Sequence, residues 1–129
     1  MFALDANTVI YGLKGNGNIL SRLREAGMGD VALPAVVVYE LEFGTLRSAI
    51  ASQRRDLHRL FGAMRILSFD QKCAEHSARV RRDLETSGTK IGPIDLLIAG
   101  TALAYDAILV THNVREFSRV SGLQLEDWY

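Results

Sequence analysis

One cysteine, Cys73, two prolines and one tryptophan are all that this chain of 129 residues has of those three types. A lone thiol makes no internal disulfide, which excludes a stapled secreted scaffold and points to a reducing compartment, the cytoplasm. No linker, internal repeat or low-complexity tract interrupts the sequence, so we read one domain over residues 1–129. Excess charge is missing too: fifteen basic and fifteen acidic side chains cancel. That argues against a broad, non-specific grip on nucleic acid and leaves local segregation of charge as the route to it. Long apolar runs are also absent. The longest, Val31 to Tyr39, is broken by Pro34 and falls far short of the ~20 residues of a membrane-spanning helix. The opening Met1-Phe2-Ala3-Leu4-Asp5 has no basic leader and meets a carboxylate at once, unlike a signal peptide. A soluble protein with no membrane partner is expected.

What is present is ordinary for a globular domain: 48% apolar and 23% charged residues, in a chain long enough to bury a core. Phe2-Ala3-Leu4 reads as a buried strand stopped by Asp5, which can cap a helix from Ala6 to about Leu13. Gly15-Asn16-Gly17 turns the chain into a second helix, Asn18 to Ala26, closed by Gly27. Val31-Ala32-Leu33 is a second strand, with Pro34 suited to the first turn of the next helix. A helix over Ser52 to Met64, a strand over Arg65 to Phe69 and a long helix from Asp70 to Thr86 follow, the last ended by Ser87-Gly88. Pro93 opens an apolar helix to Tyr105, Ile108-Leu109-Val110 is a strand, and Leu123-Gln124-Leu125 is a last short one. Alternating strands and helices predict an α/β fold with a mainly parallel central sheet of four to five short strands flanked by helices. Such sheets bind ligands beyond the carboxyl ends of their strands. Asp5 and the Thr111-His112-Asn113 turn occupy two such ends.

Three acidic residues stand out. A helix cap explains Asp5 equally well, and the helix dipole favours any carboxylate at Asp95, in the first turn after Pro93. Glu40 is harder to explain in those terms. Within Ala35-Val36-Val37-Val38-Tyr39-Glu40-Leu41-Glu42-Phe43-Gly44 it shares a helical face with Val36, Val37 and Gly44. Burying an unpaired carboxylate costs several kcal/mol or forces protonation. No basic residue lies on that face, and Asp95 has only Ile98, Ala99 and Ala102 beside it. Acids gathered in one apolar environment need a cation. Oxygen ligands without paired Cys or His suit Mg²⁺ or Mn²⁺ and not zinc.

These segments together resemble the PIN-domain nucleases, and within them the VapC-type toxins of toxin–antitoxin pairs. Phe2-Ala3-Leu4-Asp5-Ala6-Asn7-Thr8 is similar to the family's opening strand, and Glu40-Leu41-Glu42-Phe43-Gly44 to its second motif. Ile91-Gly92-Pro93-Ile94-Asp95-Leu96-Leu97-Ile98-Ala99 resembles the third and Val110-Thr111-His112-Asn113-Val114-Arg115-Glu116-Phe117 the fourth. Gly122-Leu123-Gln124-Leu125-Glu126-Asp127-Trp128 is typical of the toxin subgroup. The resemblance implies a Mg²⁺- or Mn²⁺-dependent endoribonuclease toxin, a homodimer, and a cognate antitoxin that blocks the site. Asp5, Glu40 and Asp95 would take the metal-ligand roles, with Asn113 beside them and Thr111, Asn7 and Glu116 in support. Two positions depart from the pattern: Ala6 replaces a Thr or Ser common after the first Asp, and Asn113 a common fourth Asp. Glu116 can supply the missing charge, but Asn113-x-x-Glu116 also has the spacing of a capping box, and the cap is the preferred reading.

A water deprotonated at such a metal does not need the 2′-hydroxyl of RNA, so 5′-phosphate ends are expected. His112 stands nearest to serve as a base, though a solvated turn residue is as good a description. Arg47, Arg54, Arg55 and Arg59 follow Glu40, and Lys72, Arg79, Arg81, Arg82 and Lys90 precede Asp95. These two segments are expected to flank the acids and hold phosphates, any single residue being better read as a solvated helix face. Few exposed aromatics are evident for base stacking, so recognition through RNA shape and loop sequence is expected. An antitoxin would place an Arg or Lys among the three acids. The alternatives are an RNA-processing PIN nuclease without an antitoxin, an inactive PIN-like binding module, and a small phosphatase. The last lacks a Gly-rich phosphate loop.

Overall fold

A computed structural model describes all 129 residues. Five short strands, β1 (Phe2–Leu4), β2 (Val31–Pro34), β3 (Arg65–Leu67), β4 (Ile108–Val110) and β5 (Leu125–Glu126), form one sheet in the order β3-β2-β1-β4-β5. Every pairing is parallel. Seven helices flank it: α1 (Ala6–Leu13), α2 (Ile19–Ala26), α3 (Ala35–Ser48), α4 (Ala51–Ala63), α5 (Gln71–Ser87), α6 (Pro93–Ala104) and α7 (Val114–Phe117). The α/β reading of the sequence therefore holds, and the sheet is wholly parallel.

The central strands are buried throughout, Val31 to Pro34 and Leu109 to Val110 among them, which is why they read as continuous apolar runs and not as alternating ones. Nineteen buried side chains, from Leu4 to Trp128, form the main core. Helix α6 is apolar nearly all round because it packs on α5, on α3 and on the strands β2 and β4. Its closest approach is at Gly100: a Cβ there would lie 1.9 Å from Ser77 Oγ and 2.7 Å from the Ser77 amide nitrogen. Only glycine lets α5 and α6 touch in this way. No helix is long and apolar enough to cross a membrane.

Several boundaries differ from expectation by a residue or more, four of them for a reason the structure shows. Pro34 ends β2 with extended ψ and precedes α3, because its parallel pairing to Leu67 keeps it in the sheet. β3 stops at Leu67, since Asp70 turns back to cap α5 by accepting the Cys73 N–H. α2 begins at Ile19 and not at Asn18, which is its cap residue. The last strand is Leu125–Glu126, set by Leu109↔Leu125 pairing, and not Leu123 to Leu125.

Candidate active site

The register of two neighbouring strands creates the site. β1 and β4 pair with Leu4 opposite Val110, so their next residues, Asp5 and Thr111, leave the sheet side by side. The strand order turns at this junction, the place where parallel α/β sheets open a crevice beyond their carboxyl ends. β2, the neighbour of β1 on its other side, ends at Pro34 and launches α3, which carries Glu40. Pro93 opens α6 and sets Asp95 in its first turn.

Asp5 does two jobs. Its Oδ1 accepts the Thr8 N–H at 2.9 Å and caps α1; its Oδ2 accepts the Thr111 hydroxyl at 2.5 Å. Thr111 is fully buried, and its Oγ also accepts the Asn113 N–H at 3.0 Å. The Thr8 hydroxyl donates to the Val110 carbonyl at 3.1 Å, tying α1 to the end of β4. The cap reading of Asp5 is correct, and the cap leaves its other oxygen turned to Thr111.

Four acids share one field. Burial, then the charges of Glu116 and Asp5, push the Asp95 carboxyl up to about 6. Burial, then Asp95 and Asp5, raise Glu40 above its ordinary value. None of Asp5, Glu40, Asp95 or Glu116 takes part in an ion pair; the paired acids all lie elsewhere. As arranged, no three of them close on a single point, which is how uncompensated like charges settle. The donor chemistry nonetheless fits a hard divalent cation: carboxylate oxygens, mutual repulsion and no internal counter-charge.

Glu116 is the clearest correction to the sequence reading. Asn113 makes no side-chain cap to α7. Its Nδ2 instead donates to Glu116 Oε2 at 3.1 Å, and the Glu116 charge is felt at Asp95. The Asn113 side-chain oxygen accepts no helix N–H and the Glu116 carboxylate takes the Asn113 side-chain amide instead of its backbone N–H, so the capping box does not form. Asn113 and Glu116 thus form a pair at the place of the family's fourth acid, with the Glu116 charge turned toward Asp95. Glu42, by contrast, faces away and binds Arg54 at 3.4 Å and His58.

The PIN-domain family profile matches residues 2–123 of this chain. The chain belongs to the PIN-domain family. Relatives of this PIN domain include the tRNA(fMet)-specific endonuclease VapC of Salmonella typhimurium, 30% identical over 98% of this chain and 97% of the relative. Ribonuclease VapC2 of Rickettsia felis is 33% identical, over 99% of this chain and 98% of its own. Among solved structures, VapBC2 from Rickettsia felis bound to a DNA fragment from their promoter superposes with a TM-score of 0.90 at 32% identity, over 99% of this chain and 98% of that one. DNA-bound VapBC from Salmonella typhimurium gives 0.86 at 31%, over 99% and 98%. This PIN domain is thus VapC-like over its whole length.

The expected basic residues divide into two groups. Arg54 pairs with Glu42, Arg59 with Asp56 at 3.7 Å and Arg82 with Asp83 at 3.0 Å, which leaves Arg55 as the exposed, unpaired cation of α4. Arg47 lies over the Phe43 ring at 5.7 Å and, with Asn7 and Glu40, lines a groove of about 510 Å³ between α1, α3 and α4. Lys90 borders a separate groove with Arg81, Pro93 and Leu96. The expectation of few exposed aromatics fails. Tyr39 and Phe43 stand open on α3, and Tyr11, His112 and Tyr129 gather into one group around His112, the neighbour of Thr111. The members of that group are far apart in the sequence, and the pairing of β4 with β1 and β5 unites them.

Proposed function

We propose that this PIN domain is a Mg²⁺- or Mn²⁺-dependent endoribonuclease, the toxin of a cytoplasmic VapBC-type pair. One observation carries the reading: Asp95 and Glu40, with Asp5 and Glu116 close by, are raised by burial and mutual repulsion with no protein cation to relieve them. Asp5, Glu40 and Asp95 would hold the ion, with Asn113 and Glu116 at its edge. Such an ion supplies a lowered pKa to a water and an electrophile for the phosphoryl oxygen.

The chain's own groups do the rest. Thr111 fixes the Asp5 carboxylate by one oxygen and Thr8 N–H by the other, so that its orientation survives the repulsion of its neighbours. Asn113 restrains Glu116 in the same way. Arg55 and the neighbouring basic side chains of α4, which line an open groove with His58, would bind flanking phosphates. His112 is held through Nδ1 by Asp127 and stacks on the Tyr129 ring.

The relatives named VapC and the VapBC complexes support an antitoxin as partner. The groove beside Glu40 fits this role, with Ile10, Leu13, Leu41 and Phe43 for an apolar segment and Glu40 for a basic one. A homodimer would cover exposed apolar side chains such as Tyr39 and Leu46.

RNA cleavage assayed with Mn²⁺ tests the whole reading. Wild type should cut and leave 5′-phosphate ends, and Asp5→Asn should be inactive. Calorimetry should find Mn²⁺ binding to wild type and not to Asp95→Asn. A wild type that binds no divalent ion would end it.

A further inference from the structure

Tyr11, His112 and Tyr129 form an aromatic group that the phosphate chemistry leaves unused. The His112 and Tyr129 rings stack with centroids 4.3 Å apart and planes 24° from parallel. Tyr11 meets both edge-on, at 5.0 Å from Tyr129 and 6.0 Å from His112. The pair is wet: Tyr129 keeps 48% of its surface exposed and the His112 side chain 47%.

One carboxylate assembles it. Asp127 Oδ2 meets His112 Nδ1 at 2.9 Å, and Asp127 Oδ1 accepts the Tyr129 N–H at 3.0 Å. The backbone behind is pinned as well. Trp128 is buried, its carbonyl accepts the Asn18 N–H at 3.0 Å, and a Cβ on Gly17 would lie 2.6 Å from the Tyr129 carbonyl carbon. The rings are therefore held in place before anything binds, and a preformed surface loses little entropy on binding.

Position matters as much as rigidity. His112 lies between Thr111, which holds Asp5, and Asn113, which holds Glu116. Tyr11 sits one helical turn beyond Asn7, which lines the groove with Glu40. A rigid, half-exposed π surface thus lies one residue along the chain from the side chains that hold two of the acids. Unstacked nucleobases bind such surfaces whatever their identity, because every base has a π face.

Building on the ribonuclease reading, we infer that the His112–Tyr129 stack receives a nucleobase of single-stranded RNA beside the phosphate at the acidic site, with Tyr11 as its buttress. Recognition is then partly by stacking, at the cost of requiring an unpaired base.

The test compares two probes of equal length: a single-stranded oligoribonucleotide containing one 2-aminopurine, and the same ribose–phosphate chain without bases. Wild type should bind the first roughly tenfold more tightly and quench its fluorescence. Tyr129→Leu and His112→Gln should lose most of that preference while binding the abasic chain as before, and Tyr129→Phe should keep it. In cleavage, Tyr129→Leu should raise KM roughly tenfold and leave kcat unchanged. A wild type that does not distinguish the probes overturns the inference without any variant. So does a folded Tyr129→Leu, or His112→Gln should the first not fold, that keeps the full preference. The rings would then be only a latch on the chain. Absence of cleavage by wild type with Mn²⁺ would instead sink the ribonuclease reading, and the binding comparison would still be readable.

Discussion

Asp95 shows the strain of the site in one side chain. Its ordinary value of 3.8 is raised to about 6, so the native protein keeps a proton that the unfolded chain gives up. The resulting stability is complete below the unfolded value and is lost as the pH rises through the native one. Glu40 shifts in the same direction. In a chelator, Asp95→Asn should raise the melting temperature near neutral pH, and the gain should vanish below about pH 4, where both proteins carry a neutral group. Thermal scans across that range check it. Thr111→Val is the opposite case. The swap conserves shape but strands the Asp5 oxygen and the Asn113 N–H, and should cost about 1–3 kcal/mol in urea unfolding and reduce cleavage. Residue chemistry was largely legible in the sequence. Glu40 declared itself by lying on an apolar helix face, and in the structure no cation pairs with it although Arg47 lines the same groove. Glu116 was hidden because a spacing of three from Asn113 suits a cap and an Asn–Glu pair alike.

Elements were legible where their faces are uniform and less so at their ends. The buried strands and the all-round apolar α6 follow from composition, whereas the end of β2 depends on a pairing between Pro34 and Leu67 that no local window contains. The α5–α6 contact also lies beyond local reading, since Gly100 looks like a mere helix weakener until Ser77 is seen against it. Gly100→Ala should lower stability by about 1–3 kcal/mol or more, measured by denaturant unfolding. Ser77→Ala should fail to rescue it, because the Ser77 amide nitrogen would remain 2.7 Å from the new methyl. A full rescue would mean that the hydroxyl alone sets the spacing.

At the scale of the molecule, a net charge of zero conceals a division of labour. Many of the cations are tied to acids on the surface, while the four acids of the site stay unpaired. On the ribonuclease reading, phosphate binding would fall to a few free cations such as Arg55. Arg55→Ala should reduce the salt slope of RNA binding by about one unit, with little effect on sequence preference. Titrating salt in a binding assay checks this. Mn²⁺ should raise the melting temperature of wild type and leave Asp95→Asn nearly unmoved, since an ion stabilises only the state that binds it.

The pairing of β1 with β4 has a consequence for synthesis. Asp5 is made 106 residues before Thr111, the partner that orients it. A nascent chain that stops between the two carries the first acid without the hydroxyl that holds it. The pocket therefore assembles only after β4 has been translated, and a fragment broken off earlier lacks it.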